Sequence, residues 1–556
     1  MNRKALTAIS LLLALIMLAA CAAPAAPTAP AAPGQAEAPA AQQGQAQADP
    51  ATPEAPTLEP GQLPIVTEPL TLTMWAKLGR SAISLTSFSE MLAYQELQNR
   101  TGITLEFLHP PVGGETESFN LLIASRDFPD LIEHNWGTLP GGPGLFIGDG
   151  VIIPLCDYVD FMPNLFEWYA DIPEALTQNV MDDGTHYMFP NLFVDPELQH
   201  AGGPIIRYDW LNYLGVDEPI TIQDWYELLT LVRDSEIDGH TDLIPFTLQG
   251  AADFNNFHLF VGAWGITTRW TNENGRIVFG PSDPRFREFL ETMHDWYNKG
   301  LLDNEFASNV ARDLDELVMG DRVFAFPGFM GTAITRYTQA MRATNPDFTL
   351  MAQYYPVHNR GERPLLGNRS FIATGGGTAI TTANQHVIES VLLMDYNFSW
   401  DGMLLGNFGV EGVTFNLVDG IPVYTDLILD HPDGLDIATA ISKYTFHSGD
   451  SALPKPNWVV NQRDSLPEQL SGRLRWMHTL NDLLTPRLLP TLEESHEFQH
   501  LMNTINAFVD ESLVNFIMGR TPLDEFDSFV NTLEGMGVAR AQEIMQAQLD
   551  RYALRP

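Results

Sequence analysis

The stretch that decides the fold runs from Gly202 to Phe246 and reads GGPIIRYDWLNYLGVDEPITIQDWYELLTLVRDSEIDGHTDLIPF. Ile205 and its apolar neighbour predict a short buried strand. Asp209 is expected to cap a small helix, because a side-chain oxygen at a helix start accepts from free backbone N–H groups. That helix should end at Gly215, since glycine takes the left-handed conformation common at helix ends.

A second helix is predicted in the same stretch. Thr221, with Asp224 three positions later, is typical of a capping box in which Asp replaces the usual Glu or Gln. The apolar residues that follow recur at helical spacing and define one buried face, formed by Ile222, Trp225, Leu228, Leu229 and Val232.

An acidic segment, Asp234–Asp242, follows this helix. Its carboxylates alternate with spacer residues and a glycine stands at the sixth position, as in the first half of an EF-hand loop. The oxygen ligands it offers to a structural calcium ion come from Asp234, Glu236, Asp238, the carbonyl of His240, and Asp242. The alternative is a solvated acidic turn without metal.

The order of these motifs resembles a known family. The pattern I-I-R-x-D-W-L-x-x-L-G, then T-x-x-x-W, then an acidic loop ending D-x-I-P, is similar to the large family 1 extracellular solute-binding lipoproteins. These serve ABC importers of oligosaccharides and include the alginate and aldouronate type. Gly409–Pro422 and the terminal segment from Phe516 to Tyr552 also resemble that family, and the likeness covers Glu68 to Tyr552. In the family an acidic residue commonly follows the position of Asp242, whereas here Leu243 stands there.

The resemblance implies an α/β fold, a periplasmic-binding-protein-like hinged clamp with two lobes, each a sheet flanked by helices. It places the first lobe at 67–196 and 366–425, and the second at 197–365 and 426–556. The chain is expected to cross between lobes near Val194 to Gln199 and to act as a monomer.

The N-terminus predicts export and anchoring. Residues 1–20 combine a basic start, an apolar run and a small-residue end, as in a secretory signal peptide. Leu-Ala-Ala before Cys21 resembles a bacterial lipoprotein box. Cys21 is therefore the predicted site of lipidation, and its lipid would anchor the protein in the membrane bilayer. An ordinary signal peptide is the alternative. Residues 21–66, rich in Ala, Pro and Gln, predict a disordered stalk because they lack apolar material for a core.

Composition excludes some partners. The formal charge is −40, with 70 acidic and 30 basic residues, so a nucleic-acid partner is not expected. The charge also disfavours polyanionic ligands, although a local basic cleft could override the global field. With Cys21 lipidated, Cys156 has no cysteine partner, and it is interpreted as a small buried apolar residue.

The first lobe begins with alternating strands and helices. Leu70–Trp75, Thr104–Leu108 and Asp130–Glu133 predict strands, and helices are expected between them, which indicates a parallel sheet. Ligands of such sheets lie beyond the carboxyl ends of the strands. That rule puts four residues at the mouth of the site: Trp75, Lys77, His134 and Trp136.

The predicted binding site is aromatic and polar, as a sugar requires. The flat C–H faces of sugars lie on aromatic rings, and their hydroxyl or carboxylate groups need charged partners. The predicted ligand-binding residues are Trp75, Lys77, Trp136, Trp264, Phe329, Arg369 and Glu411. Gly375–Gly377 either let a ligand approach the backbone or permit tight packing.

One motif matches a zinc-binding pattern but is not expected to bind zinc. His496-Glu497-Phe498-Gln499-His500 matches the H-E-x-x-H zinc pattern. Helical spacing, however, turns both histidines away from the apolar stripe and toward solvent. No nucleophile or cofactor signature is present elsewhere, so no catalytic residue is assigned.

These observations predict the substrate-binding component of an ABC transporter. It would capture an oligosaccharide by hinge closure, without turnover, and deliver it to membrane permease subunits. The alternatives are a lipid-anchored carbohydrate-active enzyme, either a hydrolase or a lyase, and a sensor-associated binding protein.

Overall fold

A computed structural model describes residues 58–446, 450–464 and 466–555. The predicted signal peptide, Cys21 and most of the predicted stalk lie outside these residues. Among the described residues, no helix has both the length and the apolar character needed to span a membrane.

The strands form two main sheets and two hairpins. They are β1 (Leu70–Trp75), β2 (Ile103–Leu108), β3 (Leu131–Asn135), β4 (Phe189–Phe193), β5 (Gly202–Arg207), β6 (Ile244–Phe246), β7 (Trp270–Glu273), β8 (Arg276–Phe279), β9 (Val323–Phe329), β10 (Leu350–Ala352), β11 (Ala373–Ile380), β12 (Phe415–Val418), β13 (Ile421–Tyr424) and β14 (Leu453–Lys455).

Helices cover the sheets and connect the strands. They are α1 (Leu92–Thr101), α2 (Glu115–Ser125), α3 (Gly142–Gly148), α4 (Pro163–Asp171), α5 (Pro173–Asn179), α6 (Pro196–Gln199), α7 (Tyr208–Leu214), α8 (Ile222–Asp234), α9 (Gly250–Phe257), α10 (Pro284–Asn298), α11 (Ala311–Met319), α12 (Arg336–Arg342), α13 (Val387–Tyr396), α14 (Trp400–Phe408), α15 (Asp426–Leu429), α16 (Ile437–Tyr444), α17 (Asn457–Arg463), α18 (Pro467–Trp476), α19 (Leu492–Ile517), α20 (Phe526–Gly535) and α21 (Val538–Tyr552).

The first lobe is built on a six-stranded sheet of order β14-β4-β11-β3-β1-β2. Pairing is parallel between β1 and β2, β1 and β3, and β14 and β4, while β11 runs antiparallel to both of its neighbours. The carboxyl ends of five strands therefore meet at one edge. The predicted parallel pairing is confirmed for β1, β2 and β3, whereas the antiparallel β11 was not predicted, and β1 begins and ends at the predicted residues.

The second lobe is built on a four-stranded sheet of order β10-β5-β9-β6. Its core gathers large aromatic residues, and Trp225, Phe246 and Phe260 meet edge to face. Trp225 is fully buried, a burial worth roughly 2–3 kcal/mol relative to an exposed side chain. The two-lobe α/β fold predicted from the sequence is present.

The local signals in the stretch from Gly202 to Phe246 are largely confirmed. Thr221 and Asp224 form the predicted capping box at the start of α8, and Gly215 ends α7 in the left-handed conformation. The cap predicted at Asp209 is wrong, because α7 begins at Tyr208 and Asp209 lies inside it. The Asp209 carboxylate instead accepts hydrogen bonds from the guanidinium of the fully buried Arg207, at 3.0 and 2.7 Å.

The predicted lobe boundary at residue 425 needs correction. The strand β14 pairs with β4 in the first sheet, with Leu453 opposite Asn191, so the chain returns to the second lobe only after Lys455. The sequence Leu-Pro-Lys is too short to show a periodic pattern, and its proline is tolerated because β14 lies at the sheet edge. The crossing between β4 and β5 lies where it was predicted.

The predicted end of the stalk at residue 66 also differs from the structure. Ile65 is buried, and Leu58 and Val66 pack against the core of the first lobe. The backbone N–H of Val66 donates to the carbonyl of Thr101 at 3.2 Å. Packed structure therefore begins several residues before the predicted boundary.

Candidate functional site

The candidate site is the cleft between the two lobes. It holds a smaller cavity of about 260 Å³ and a larger one of about 760 Å³. Phe193 and Lys455, the last residues of β4 and β14, line the smaller cavity from the first lobe. Phe329, the last residue of β9, lines it from the second lobe. A cleft therefore lies at the carboxyl ends of the strands, where the sequence analysis predicts the ligand site.

Phe329 lies where the two cavities meet, since it lines both. Its ring is 41% exposed, and one side leans on Phe257 with the ring centroids 4.9 Å apart. A π-helical segment, Met330–Thr335, follows directly and ends the extended conformation of β9. Of the predicted aromatic ligand residues, Phe329 is the one placed with an open face in the cleft.

The three predicted tryptophans do not offer an open face. Trp136 is fully buried, Trp75 is 4% exposed and Trp264 is 8% exposed. Trp75 stacks on His134, with centroids 5.8 Å apart. Trp264 packs edge to face on Phe289 in the second core. Stacking on a sugar needs an accessible ring, so in this conformation these indoles are core residues.

The three predicted polar ligand residues lie in three different parts of the structure. Lys77 follows β1 at the carboxyl edge of the first sheet and forms an ion pair with Asp450 at 2.6 Å. Arg369 lies in the crossing between lobes and donates to the side-chain oxygen of Gln199 at 3.1 and 3.2 Å. Glu411 is exposed beside the hairpin of β12 and β13 and lines neither cavity. The ligand role of these residues stays a prediction.

A group of arginines lies in the cleft instead. Asp464, just after α17, is shared by Arg463 on α17 and Arg473 on α18. Asp464 and Arg473 are almost completely buried, and burial lowers the pKa of the Arg473 guanidinium. Arg80, in the short 3₁₀ segment Gly79–Ile83, and Arg336, at the start of α12, line the larger cavity.

Lys455 contributes a buried ammonium to the smaller cavity. Burial lowers the pKa of Lys455 to about 8, although the negative charges of Glu133 and Asp450 act in the opposite direction. Glu133 lies in the middle of β3 and Asp450 lies in the segment before β14, and neither lines the cavity. The lining of the smaller cavity therefore combines this ammonium with apolar side chains, among them Phe193, Val459 and Phe329.

Comparison with known proteins was made by sequence and by structure. No family model matches the chain. The fructooligosaccharide ABC transporter substrate-binding protein FusA of Streptococcus pneumoniae is 29% identical over 494 residues, covering 84% of this chain and 87% of FusA. Lipoprotein LipO of Bacillus subtilis is 24% identical over 383 residues, covering 66% and 71%.

The chain is a homologue of ABC transporter substrate-binding proteins. Its fold agrees with this relationship. The crystal structure of the alginate-binding protein AlgQ2 without calcium ion aligns with a TM-score of 0.68 at 21% identity, covering 87% of this chain and 99% of AlgQ2. A FusA EF-hand mutant in complex with fructo-nystose aligns with a TM-score of 0.66, also at 21% identity and over the same shares of the two chains.

The glycine run Gly375–Gly377 is closely packed. Gly375 has φ of +88°, and a Cβ placed there would overlap the guanidinium of Arg487. Gly376 lies against Asp450, and Gly377 against the backbone of Phe189. Of the two interpretations given to Gly375–Gly377, tight packing is the one these contacts support.

The acidic loop has the turn but not the converging side chains of a calcium site. Gly239 takes φ of +80° and the neighbouring Asp238 φ of +51°, so the chain turns sharply at the expected point. The Asp234 carboxylate, however, is paired with the guanidinium of Arg233 at 2.7 and 2.8 Å. Within residues 58–446, 450–464 and 466–555, no three His, Cys, Asp or Glu side chains are grouped to hold a metal. Its hard oxygen donors still have the chemistry that calcium prefers.

The H-E-x-x-H segment lies on α19 with His496 and His500 exposed, as predicted. Glu497 is held by Arg540 of α21 in a two-point contact at 2.8 Å for both bonds. Glu497 is therefore part of a surface ion pair that joins α19 and α21.

Sequence analysis missed most of the charged residues of the cleft. Arg80 follows β1 by five residues, so the strand-end rule that selected Lys77 could have selected it too. Arg463 and Arg473 had no such signal, because the strand β14 that brings their segment to the cleft was not predicted. Their position at the cleft is evident only from the sheet order.

Proposed function

We propose that this protein is the extracytoplasmic substrate-binding component of an ABC importer. It captures an oligosaccharide in the cleft between its lobes, closes by hinge rotation and delivers the sugar to a membrane permease. The observation that carries the proposal is the exposed ring of Phe329 at the junction of the two cavities. An exposed aromatic face with charged side chains in the same cavities suits a sugar, whose C–H surface stacks while its hydroxyl groups find donors and acceptors.

The proposal is tested by ligand binding combined with small-angle scattering. A panel of purified oligosaccharides is screened by thermal shift, because a specific ligand stabilises the folded state by mass action. The radius of gyration should fall when the bound sugar is added, since ligand contacts to both lobes favour the closed state. No new reducing ends should appear during prolonged incubation. A tightly bound sugar that is consumed would support the enzyme alternative, and one that leaves the scattering unchanged would contradict closure.

We also propose that Cys21 carries the lipid anchor. A small-residue cleavage site stands directly before Cys21, and the Pro-rich segment after it suits a spacer between membrane and lobe. Replacing Cys21→Ser should move the protein from the membrane fraction to the soluble extracytoplasmic fraction. A variant that still sediments with membranes would contradict this proposal.

The third element of the proposal is a structural calcium ion at Asp234–Asp242. The carboxylates of Asp234, Glu236, Asp238 and Asp242 and the His240 carbonyl would hold it. The exposed ion pair between Asp234 and Arg233 competes only weakly with calcium for the Asp234 carboxylate, because such surface pairs contribute little free energy.

Adding calcium to chelator-treated protein should raise the melting temperature, and Asp238→Asn should remove that response. Asp217→Asn, an exposed carboxylate of the same lobe outside the loop, is the matched control and should keep it. Equal melting curves with calcium and with chelator would show a metal-free acidic turn.

A further inference from the structure

The hairpin of β12 and β13 has one apolar face that is open to solvent. Val418 pairs directly with Ile421, and Val423 lies two positions after Ile421, so these three side chains share a face. They are between 37% and 53% exposed. The opposite face, with Phe415 and Tyr424, is buried in a small core of the first lobe. The outer face of the hairpin is thus apolar and uncovered.

The hairpin of β7 and β8 in the second lobe gives a comparison within the same molecule. Ile277 of β8 is fully buried and packs against Met545 and Leu549 of α21. The helices that contact β13 are α14, α15 and α17, and they supply the core on its inner side. An open apolar face is therefore a particular feature of β12 and β13.

The charges around this face are all acidic. Glu411, Asp419, Asp426 and Asp430 are exposed before, within and after the hairpin. None of the four forms an ion pair within the part of the chain that the structure describes. Residues 370–442 contain no lysine or arginine. The apolar face is therefore bordered by negative charge that no neighbouring cation in the sequence offsets.

This charge pattern distinguishes the possible occupants of the face. A second copy of the chain would bring the same carboxylates against each other, and like charges across an interface cost free energy. Anionic lipids give a bilayer a negative surface potential, which would repel these carboxylates as well. A protein surface with an apolar centre and basic residues around it is complementary in both respects.

The lipid anchor proposed at Cys21 would hold the first lobe beside the membrane. Leu58 packs against the core of that lobe, and residues 21–57 can span at most about 120 Å. A partner embedded in the membrane is therefore within reach of the hairpin.

The hairpin is also joined to a wall of the cleft. The side-chain oxygen of Gln462 accepts from the Tyr424 N–H at 2.7 Å, and its amide donates to the Pro422 carbonyl at 2.8 Å. Gln462 belongs to α17, whose Val459 lines the smaller cavity and whose Arg463 lines both cavities. A partner on the hairpin would thus contact an element that is bonded to the wall of the cleft.

From these observations we infer that the outer face of β12 and β13 docks a membrane protein. The partner presents an apolar surface to Val418, Ile421 and Val423, and its basic residues face the surrounding carboxylates. This inference rests on the proposed function, under which the partner is the permease that receives the sugar.

Binding to membrane vesicles tests the inference. The full chain with Cys21→Ser, which removes the site of lipidation, is titrated onto right-side-out vesicles of the producing bacterium with its own copy of the gene deleted. Liposomes of the extracted lipids are titrated in parallel. The protein should bind the vesicles saturably and the liposomes not at all, and trypsin treatment of the vesicles should abolish binding. Affinity should fall between ~50 mM and ~500 mM NaCl because salt screens the carboxylates around the hairpin.

Two variants separate the apolar face from its acidic border. Ile421→Ser combined with Val423→Ser should weaken vesicle binding about tenfold or more, because apolar area is no longer buried. Asp419→Asn should reduce the salt dependence, and asparagine tolerates the left-handed conformation at that turn, with φ of +52°. The control is Val112→Ser, 74% exposed in the turn before α2, which should bind like the parent protein. Thermal unfolding checks that each variant is folded.

The other outcomes contradict the inference. Equal binding by the double variant and the control would place docking on another surface and leave the proposed function standing. Binding to liposomes would assign the face to the bilayer, and dimers that the double variant loses would assign it to a second copy. Absence of any vesicle binding overturns the inference, and the proposed function fails with it only if the oligosaccharide screen also finds no ligand.

Discussion

Arg555 and Asp182 are 373 positions apart in the chain, and the Arg555 guanidinium donates two hydrogen bonds to one Asp182 oxygen, at 2.9 and 2.7 Å. The other oxygen accepts from Arg551 at 2.6 Å. The Arg555 side chain is fully buried. The end of the chain, which follows the C-terminal helix α21, is thereby fastened to a turn of the first lobe, on residues that line neither cleft cavity.

Replacing Asp182→Asn should destabilise the protein by about 3 kcal/mol, because it leaves the buried Arg555 charge without its partner. The measurement is denaturant unfolding. Glu543→Gln, which removes one of the two carboxylate partners of the exposed Arg540 on the same helix, is the control and should leave stability almost unchanged. Equal effects in the two variants would show that the Asp182 contact contributes no more than a surface pair.

Phe329→Ala should weaken binding of the cognate oligosaccharide roughly tenfold to a hundredfold, because a stacked ring contributes about 1–3 kcal/mol. Calorimetry gives the affinity, and unfolding without ligand checks that the variant is intact. Trp400→Ala is the matched control, since its ring is 50% exposed and lines neither cavity. Unchanged affinity in the Phe329 variant would remove the observation that carries the proposed function.

Gly375→Ala should be much more destabilising than Gly434→Ala. Both glycines have positive φ, +88° and +71°, so both variants meet the same backbone strain, about 1 kcal/mol. Only at Gly375 would the new Cβ overlap another group, the buried guanidinium of Arg487, whereas Gly434 faces open space. Comparing the two unfolding free energies isolates the steric cost. Similar values would mean that Arg487 moves aside easily.

His258→Asn should flatten the acid side of the stability profile. Burial lowers the pKa of His258 to about 4, below the ordinary value of 6.5. The unfolded state therefore takes up the proton first, and the stability present above pH 6.5 is lost as the pH falls toward 4. The loss for one such histidine is about 3 kcal/mol.

Asparagine suits position 258 because it tolerates the left-handed conformation found there, with φ of +51°. The experiment compares denaturant unfolding of the wild type and the variant between pH 7 and pH 4. His496→Gln, an exposed histidine on α19, is the control and should follow the wild-type profile. Identical slopes for all three proteins would show that His258 is not the group responsible.

Local patterns predicted the elements but not which aromatic rings remain accessible. Trp136 directly follows β3 and Phe329 is the last residue of β9, both at the cleft side of their sheets, yet the first is fully buried and the second is 41% exposed. Trp136 is covered by Phe119 and Phe146, residues of α2 and α3. A sequence pattern predicts that an aromatic residue stands at the end of a strand. Whether its ring is covered depends on helices elsewhere in the chain.

The sequence by itself determined the capping box at Thr221, the left-handed Gly215, the strand β1 and the parallel pairing of β1, β2 and β3. Each depends on interactions within one helix turn, one strand or one crossover, so the chemistry is contained in neighbouring residues. Only the tertiary structure decided that β14 adds to the edge of that sheet and that Arg80 and Arg463 meet across one cavity. Those juxtapositions join segments that are hundreds of residues apart in the chain, and their free energy comes from packing and charge that no local pattern records.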